Sequence, residues 1–123
     1  MSWKKANRDL IEKLEAALAG YDADPRFMFG SPTFFVNNNM FAGVHQDTVI
    51  LRLSEADRAA LYGEHPDIGP FTPMEGRPMK EYAALPYDYC EDDEALREML
   101  EKSYRYAVSL PFKPPKPPRA RKS

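Results

Sequence analysis

Leu10, Leu14 and Leu18 fall four residues apart, with Ile11 beside them and Glu12, Lys13 and Glu15 turned away. That spacing makes one apolar stripe on a helix, and Gly20 ends it in the usual C-terminal position. Asp24-Pro25 then opens a loop, because the residue before proline is pushed out of helical space. Beyond it the period changes. The runs 33–36, 40–45 and 48–53 (TFFV, MFAGVH and TVILRL) are aromatic and β-branched, which predicts strands. Asn37-Asn38-Asn39 separates the first two runs, and asparagine tolerates left-handed backbone angles, so the triplet reads as a turn. A polar recognition loop is the alternative reading of the same residues. Gln46-Asp47 makes the next short turn, giving a three-stranded antiparallel meander.

Apolar residues in these strands come in neighbouring pairs: Phe34 and Phe35, Met40 and Phe41, Ile50 and Leu51. Neighbours on a strand point to opposite faces. Both faces of the sheet are therefore expected to need cover, one from the chain's helices and the other from a remaining helix, the C-terminal segment or a second copy of the protein.

Ser54 followed by Asp57 marks the start of a short helix to about Tyr62, with Gly63 past its end. Four prolines break GEHPDIGPFTPMEGRP (63–78), which predicts a loop with at most a short extended piece at Phe71-Thr72. The run 79–85 (MKEYAAL) predicts another strand, stopped by Pro86. A last helix starts at Asp92 or Asp93, carries Leu96, Leu100, Tyr104 and Ala107 on one stripe, and ends before Pro111. The expectation is an α+β fold: a curved antiparallel β-sheet, the meander plus one or two further strands, packed by about three helices. Residues 1–112 form the domain, and 113–123 form a basic, proline-rich tail for which polyproline II and disorder are expected.

Charge divides the chain in the same place. The tail KPPKPPRARKS holds Lys113, Lys116, Arg119, Arg121 and Lys122 with no acid. Setting those five aside leaves twelve basic residues against 19 acidic ones, a body at −7 within a chain at −2. So acidic a body does not suit nucleic acid, whose phosphates need a basic face, and five charges on a tail support only weak, salt-sensitive binding. Folding back on the acidic body and serving as a Pro-rich ligand for an aromatic groove are further readings of the tail, and a disordered solubilising tail is the expected one. The N-terminus alternates charge with leucine and lacks the continuous apolar stretch of a secretory signal. No run approaches the roughly 20 apolar residues of a spanning helix. A cytoplasmic protein without a membrane partner is expected.

Candidate chemistry is sparse. Cys90, the sole cysteine, lies in YDYCEDDE, where carboxylates favour the neutral thiol. His45 and His65 stand twenty apart without ligand-spaced partners, so neither a zinc site nor any other metal site is expected, and His45 reads as a turn residue near Asp47. The acids from Glu91 to Glu94 suit the first turn of a helix, whose dipole they complement. Gly30, Gly43 and Gly76 are isolated and form no phosphate loop. Arg77, in Gly76-Arg77-Pro78, either clamps an anionic ligand or a partner's carboxylate, or pairs with an acid on its own surface. Arg26 and Arg52 carry the same two readings.

Read together, RFMFGSPTFFVNNNMFAGVHQDTVILRLSEADRAAL and the later FTPMEGRPMKEYAALP resemble the N-terminal domain of the TfoX/Sxy competence regulators. The words that carry the resemblance are Met28-Phe29-Gly30, Phe41-Ala42-Gly43-Val44, Leu51-Arg52-Leu53-Ser54 and Gly76-Arg77-Pro78-Met79-Lys80-Glu81-Tyr82. It spans nearly everything but the tail. The resemblance implies a curved antiparallel sheet packed by helices, and brings no catalytic residues with it. Full-length members carry a second domain and act as positive regulators of DNA-uptake genes. The 123 residues leave no length for that second domain, so a stand-alone single-domain member is expected.

The expected function is a non-enzymatic regulatory or protein-interaction module with no cofactor. It works as a homodimer, or on another protein partner, through its sheet, with Phe34, Phe41 and Ile50 as interface residues and Arg77 as a further contact. One alternative is a small-ligand or enzymatic pocket near Arg77, Tyr82 and His45. Another is weak nucleic-acid binding through the tail.

Overall fold

The computed structural model describes residues 7–28, 31–74 and 76–112, and the side chains of Met28, Pro73, Met74 and Arg77 fall outside the description. The expected tail at 113–123 lies outside it too. Chain order is α1 (Arg8–Ala17), β1 (Asp24–Met28), β2 (Ser31–Val36), β3 (Asn39–His45), β4 (Thr48–Arg52), α2 (Glu55–Glu64), β5 (Pro70–Met74), β6 (Arg77–Pro86), α3 (Tyr87–Cys90) and α4 (Asp93–Ser109). The strands form one curved, fully antiparallel sheet in the order β1-β2-β3-β4-β6-β5. It is the expected α+β fold, with the meander β2-β3-β4 at its centre.

Three strands flank the meander where one or two were expected, and the short α3 makes a fourth helix. The reasons are local. Residues 24–27 are all exposed, so β1 carries no burial pattern to betray a strand. Pro25 forbids a helix but not a strand edge, where a missing N–H leaves no ladder bond unmade. Pro70 and Pro73 likewise sit on β5, the opposite edge.

The helices begin where side chains can satisfy their free N–H groups. Asn7 Oδ1 accepts from the Leu10 N–H at 3.2 Å, Ser54 Oγ from Asp57 at 3.2 Å, and Asp92 Oδ1 from Glu94 and Ala95 at 3.1 and 3.2 Å. Asn7 also donates its backbone N–H to Gln46 O (2.8 Å) and its side-chain amide to Asp47 (3.0 Å), tying the start of α1 to the β3–β4 turn.

Register assigns the faces, because paired residues share one. Ala42 pairs with Leu51 and Leu51 with Ala83; Val44 pairs with Val49 and Val49 with Leu85. These six are buried with Leu10, Leu14, Leu96 and Leu100 in one core beneath α1 and α4. Each fully buried leucine there contributes roughly 1.5–3 kcal/mol.

A bulge enlarges this core. Phe34 pairs with Ala42 but Phe35 with Met40, so Phe41 is an extra residue on β3 without a β2 partner. The kink lets both Phe41 and Ala42 join the helix-side core. The Phe41 ring meets Tyr104 edge-on at 5.5 Å, and its carbonyl accepts from the buried Ser103 Oγ at 2.9 Å.

The opposite face holds Thr33, Gly43, Ile50 and Ala84 in one row, with Phe35, Met40 and Tyr82 to one side. Ile50 is 2% exposed although it lies apart from the helix-side core. The cover comes from the same chain. A Cβ on Gly43 would lie 3.1 Å from Thr33 Cγ2 and 3.3 Å from Met40 Cε, so those two methyls already fill the space above it. Tyr82 on β6 reaches over β4 and donates its hydroxyl to Met40 O at 3.0 Å. Phe71 on the edge strand β5 sets its ring against His45 on β3 at 5.0 Å, edge-on. A flat sheet would hold those two strands roughly 14 Å apart, so curvature and long aromatic side chains close the gap.

Candidate functional site

Phe34, Phe41 and Ile50, expected to face a partner, are 7%, 0% and 2% exposed. Phe34 and Phe41 belong to the helix-side core, and Ile50 to the face closed by Tyr82, Thr33 and Met40. None of the three presents surface, because the bulge turns Phe41 inward and the curled sheet covers Ile50. Arg77 opens β6 by its backbone, and its side chain lies outside the described atoms.

The groups proposed for a ligand pocket are committed elsewhere. Tyr82 donates to Met40 O, and burial, the largest influence, pushes its phenol above the ordinary value against the nearby Arg52 charge. The His45 ring packs on Phe71. Arg52 grips Glu81 through Nη2 at 2.6 Å and Nε at 2.7 Å, and stands over the Tyr82 and Tyr106 rings at 5.7 and 6.0 Å. Arg26 bonds Asp24 and Asn38 and lies 4.1 Å over Phe35. Both arginines thus pair with their own surface.

Cys90 is fully buried, its thiol 3.8 Å from Leu85 O, and burial pushes its pKa from 9.0 to about 12. A thiol so held is a core residue, not a nucleophile. The folded chain keeps a proton that the unfolded chain releases above about pH 9. Stability is therefore expected to be full below that pH and to fall as pH climbs toward 12. Urea unfolding followed across that range, with a thiol reagent silent at pH 8 until urea is added, checks both statements.

The asparagine triplet does two things. Asn37 and Asn38 adopt φ of 53° and 62°, the left-handed pair that a tight hairpin turn requires. Sequence reasoning found the turn but missed what its carboxamides hold. Asn37 Nδ2 donates to Val108 O (3.2 Å) and Leu110 O (3.4 Å), and Asn39 Nδ2 donates to Asn37 O (3.0 Å) and Pro111 O (3.1 Å). The turn thereby caps the carbonyls left free where α4 ends. No sequence spacing announces a bond across some 70 residues. Asn39 is 6% exposed, and Asn39→Ala, which removes the bonds to Asn37 O and Pro111 O, is expected to lower stability by about 0.5–1.5 kcal/mol in denaturant unfolding.

Hollows lie at the helices, two of them lined by described residues of α1 to α4. One, of about 340 Å³, lies between α1 and α4 and is crossed by the exposed Lys13–Asp93 bridge at 3.0 Å. The hydrogen bond to Asp93 is the main influence raising the Lys13 pKa. The other, of about 450 Å³, lies among α2, α3 and α4. Its wall includes the rings of His65 and Tyr89, 5.1 Å apart and edge-on, and its rim the carboxylates of Glu64, Asp88, Asp92 and Glu98 with Lys102. Burial, then the Glu98 charge, raises the Tyr89 phenol above its ordinary value. Among the described residues no three His, Cys, Asp or Glu side chains converge as metal ligands would, and no helix is long and apolar enough to cross a membrane.

Outward-facing apolar groups lie at the periphery. Phe27 on β1 is 75% exposed, Phe112 64%, Val108 45% and Met79 38%. The prolines define how β1 ends the sheet. Neither Pro25 nor Pro32 has an N–H, so exchange between β1 and β2 runs through the pairs Asp24/Phe35, Arg26/Thr33 and Met28/Ser31. Phe27, paired with Pro32, then directs its N–H and C=O away from the sheet.

The sequence model of the TfoX N-terminal domain matches residues 6–107 of the 123. No curated protein matches the chain.

Proposed function

The chain belongs to the TfoX N-terminal domain family, and from that membership we propose that it acts as a regulatory protein-interaction module without catalytic chemistry of its own. What supports this reading is where its reactive and apolar groups lie. Cys90, His45 and Tyr82 are built into packing, whereas Phe27 stands 75% exposed on a sheet edge.

The first partner is a second copy of the chain. A strand edge with one outward N–H and one outward C=O on the same residue is self-complementary about a two-fold axis. Two copies exchange both bonds at Phe27 and lay the two phenylalanine rings side by side. Pro25 keeps the pairing short, which makes the association weak and reversible. This differs from the sheet-face dimer expected from the strands, whose apolar residues are already covered.

Light scattering at about 50 µM, near the weak end of specific association, is expected to show a mass above the 14.1 kDa monomer. Phe27→Ser, an exposed position with little effect on folding, is expected to return it to the monomer. A wild-type monomer at that concentration overturns the self-association.

A further inference from the structure

The hollow among α2, α3 and α4 presents two chemistries at once. Its wall carries the edge-on ring pair of His65 and Tyr89, and its rim holds four carboxylates against one lysine. Residues 113–123 carry the complement of both: Pro114, Pro115, Pro117 and Pro118 interleaved with five cations and no acid. Proline-rich segments dock on aromatic walls, and cations beside them are drawn to a carboxylate rim.

The geometry of the chain allows the meeting. The Asn37–Asn39 turn fixes the backbone at Pro111, so the segment starts from the C-terminal end of α4. From Ser109 back to Glu98 along the helix is roughly 17 Å. Eleven residues in extended polyproline conformation span up to roughly 34 Å. The hollow is thus within reach of the same molecule, at the high effective concentration of a tethered ligand.

We infer that residues 113–123 dock in cis on the acidic, aromatic-walled hollow formed by Glu64, His65, Tyr89 and Glu98. The contact uses a surface of the interaction module proposed above other than Phe27, so either can fail without the other.

The test uses the full chain with Ser123→Cys carrying a nitroxide; buried Cys90 does not label. At low ionic strength the amide signals of Ala60, Ala95 and Glu98 are expected to be lost selectively, while those of Arg26 and Thr33 on the opposite flank persist. Raising salt to about 1 M, where screening acts within roughly 3 Å, is expected to restore them. So is Glu64→Lys with Glu98→Lys, two exposed positions, in a chain whose other signals stay in place to show that it folds. Signal loss spread evenly, centred on another surface, or unchanged by the charge reversals overturns the inference.

Discussion

Phe41→Ala is expected to lower the unfolding free energy by about 3–5 kcal/mol, the range for emptying a fully buried aromatic site. The midpoint of thermal unfolding should fall by on the order of 15 °C for a domain of this size. The size of the effect follows from the bulge. Phe41 is 0% exposed, presses edge-on against Tyr104, and supplies the carbonyl that satisfies the buried hydroxyl of Ser103. Since native domains hold only about 5–15 kcal/mol in total, the variant should unfold at markedly lower urea. A loss below about 1 kcal/mol, typical of surface positions, would place the ring outside the core.

Ile50→Ala is the second large effect, expected at about 2–5 kcal/mol. It probes the other side of the sheet. Ile50 lies between Gly43 and Ala84 and is 2% exposed, in a layer that owes its cover to Thr33, Met40, Tyr82 and Phe71. Emptying the site leaves a cavity in a layer that none of the described helices covers, since their buried residues lie in the other core. Urea unfolding with an unchanged slope would assign the whole loss to the folded state.

Much of the fold was legible from residue pattern alone. The stripe Leu10, Leu14, Leu18 and the stripe Leu96, Leu100, Tyr104, Ala107 lie where α1 and α4 pack on the sheet, and the three asparagines turn the β2–β3 hairpin. The paired apolar residues announced apolar groups on both faces of the sheet, and on the face away from the helices Ile50 is buried while Phe35, Met40 and Tyr82 are half-buried. What they do not encode is who supplies the cover. That depends on sheet curvature, on a glycine at position 43, and on aromatic side chains reaching across two or three strands. Each of these is a long-range fact without a local signature. The edge strand β1 escaped notice for a related reason: its residues are exposed, so no alternation marks them. The asparagine cap on α4 joins positions some 70 residues apart and is equally silent in the sequence.

The same contrast separates the two surfaces available to partners. Phe34, Phe41 and Ile50 are the residues that apolarity picks out, and all three are interior. Phe27 opens the short apolar run Phe27-Met28-Phe29 just after Pro25 and Arg26, with no alternation to assign it a face, yet it is the most exposed large hydrophobic among the described residues. Burial is a property of the assembled sheet, and hydrophobicity alone predicts it in one direction only.

The Ile50→Ala loss, measured at two protein concentrations, separates cover by the chain itself from cover by a second copy. If the folded chain closes the layer alone, the loss at about 0.5 µM equals the loss at about 50 µM, because no partner's mass action enters it. A loss that shrinks on dilution would mean that a departing partner had already uncovered Ile50, and the self-covered sheet would be wrong.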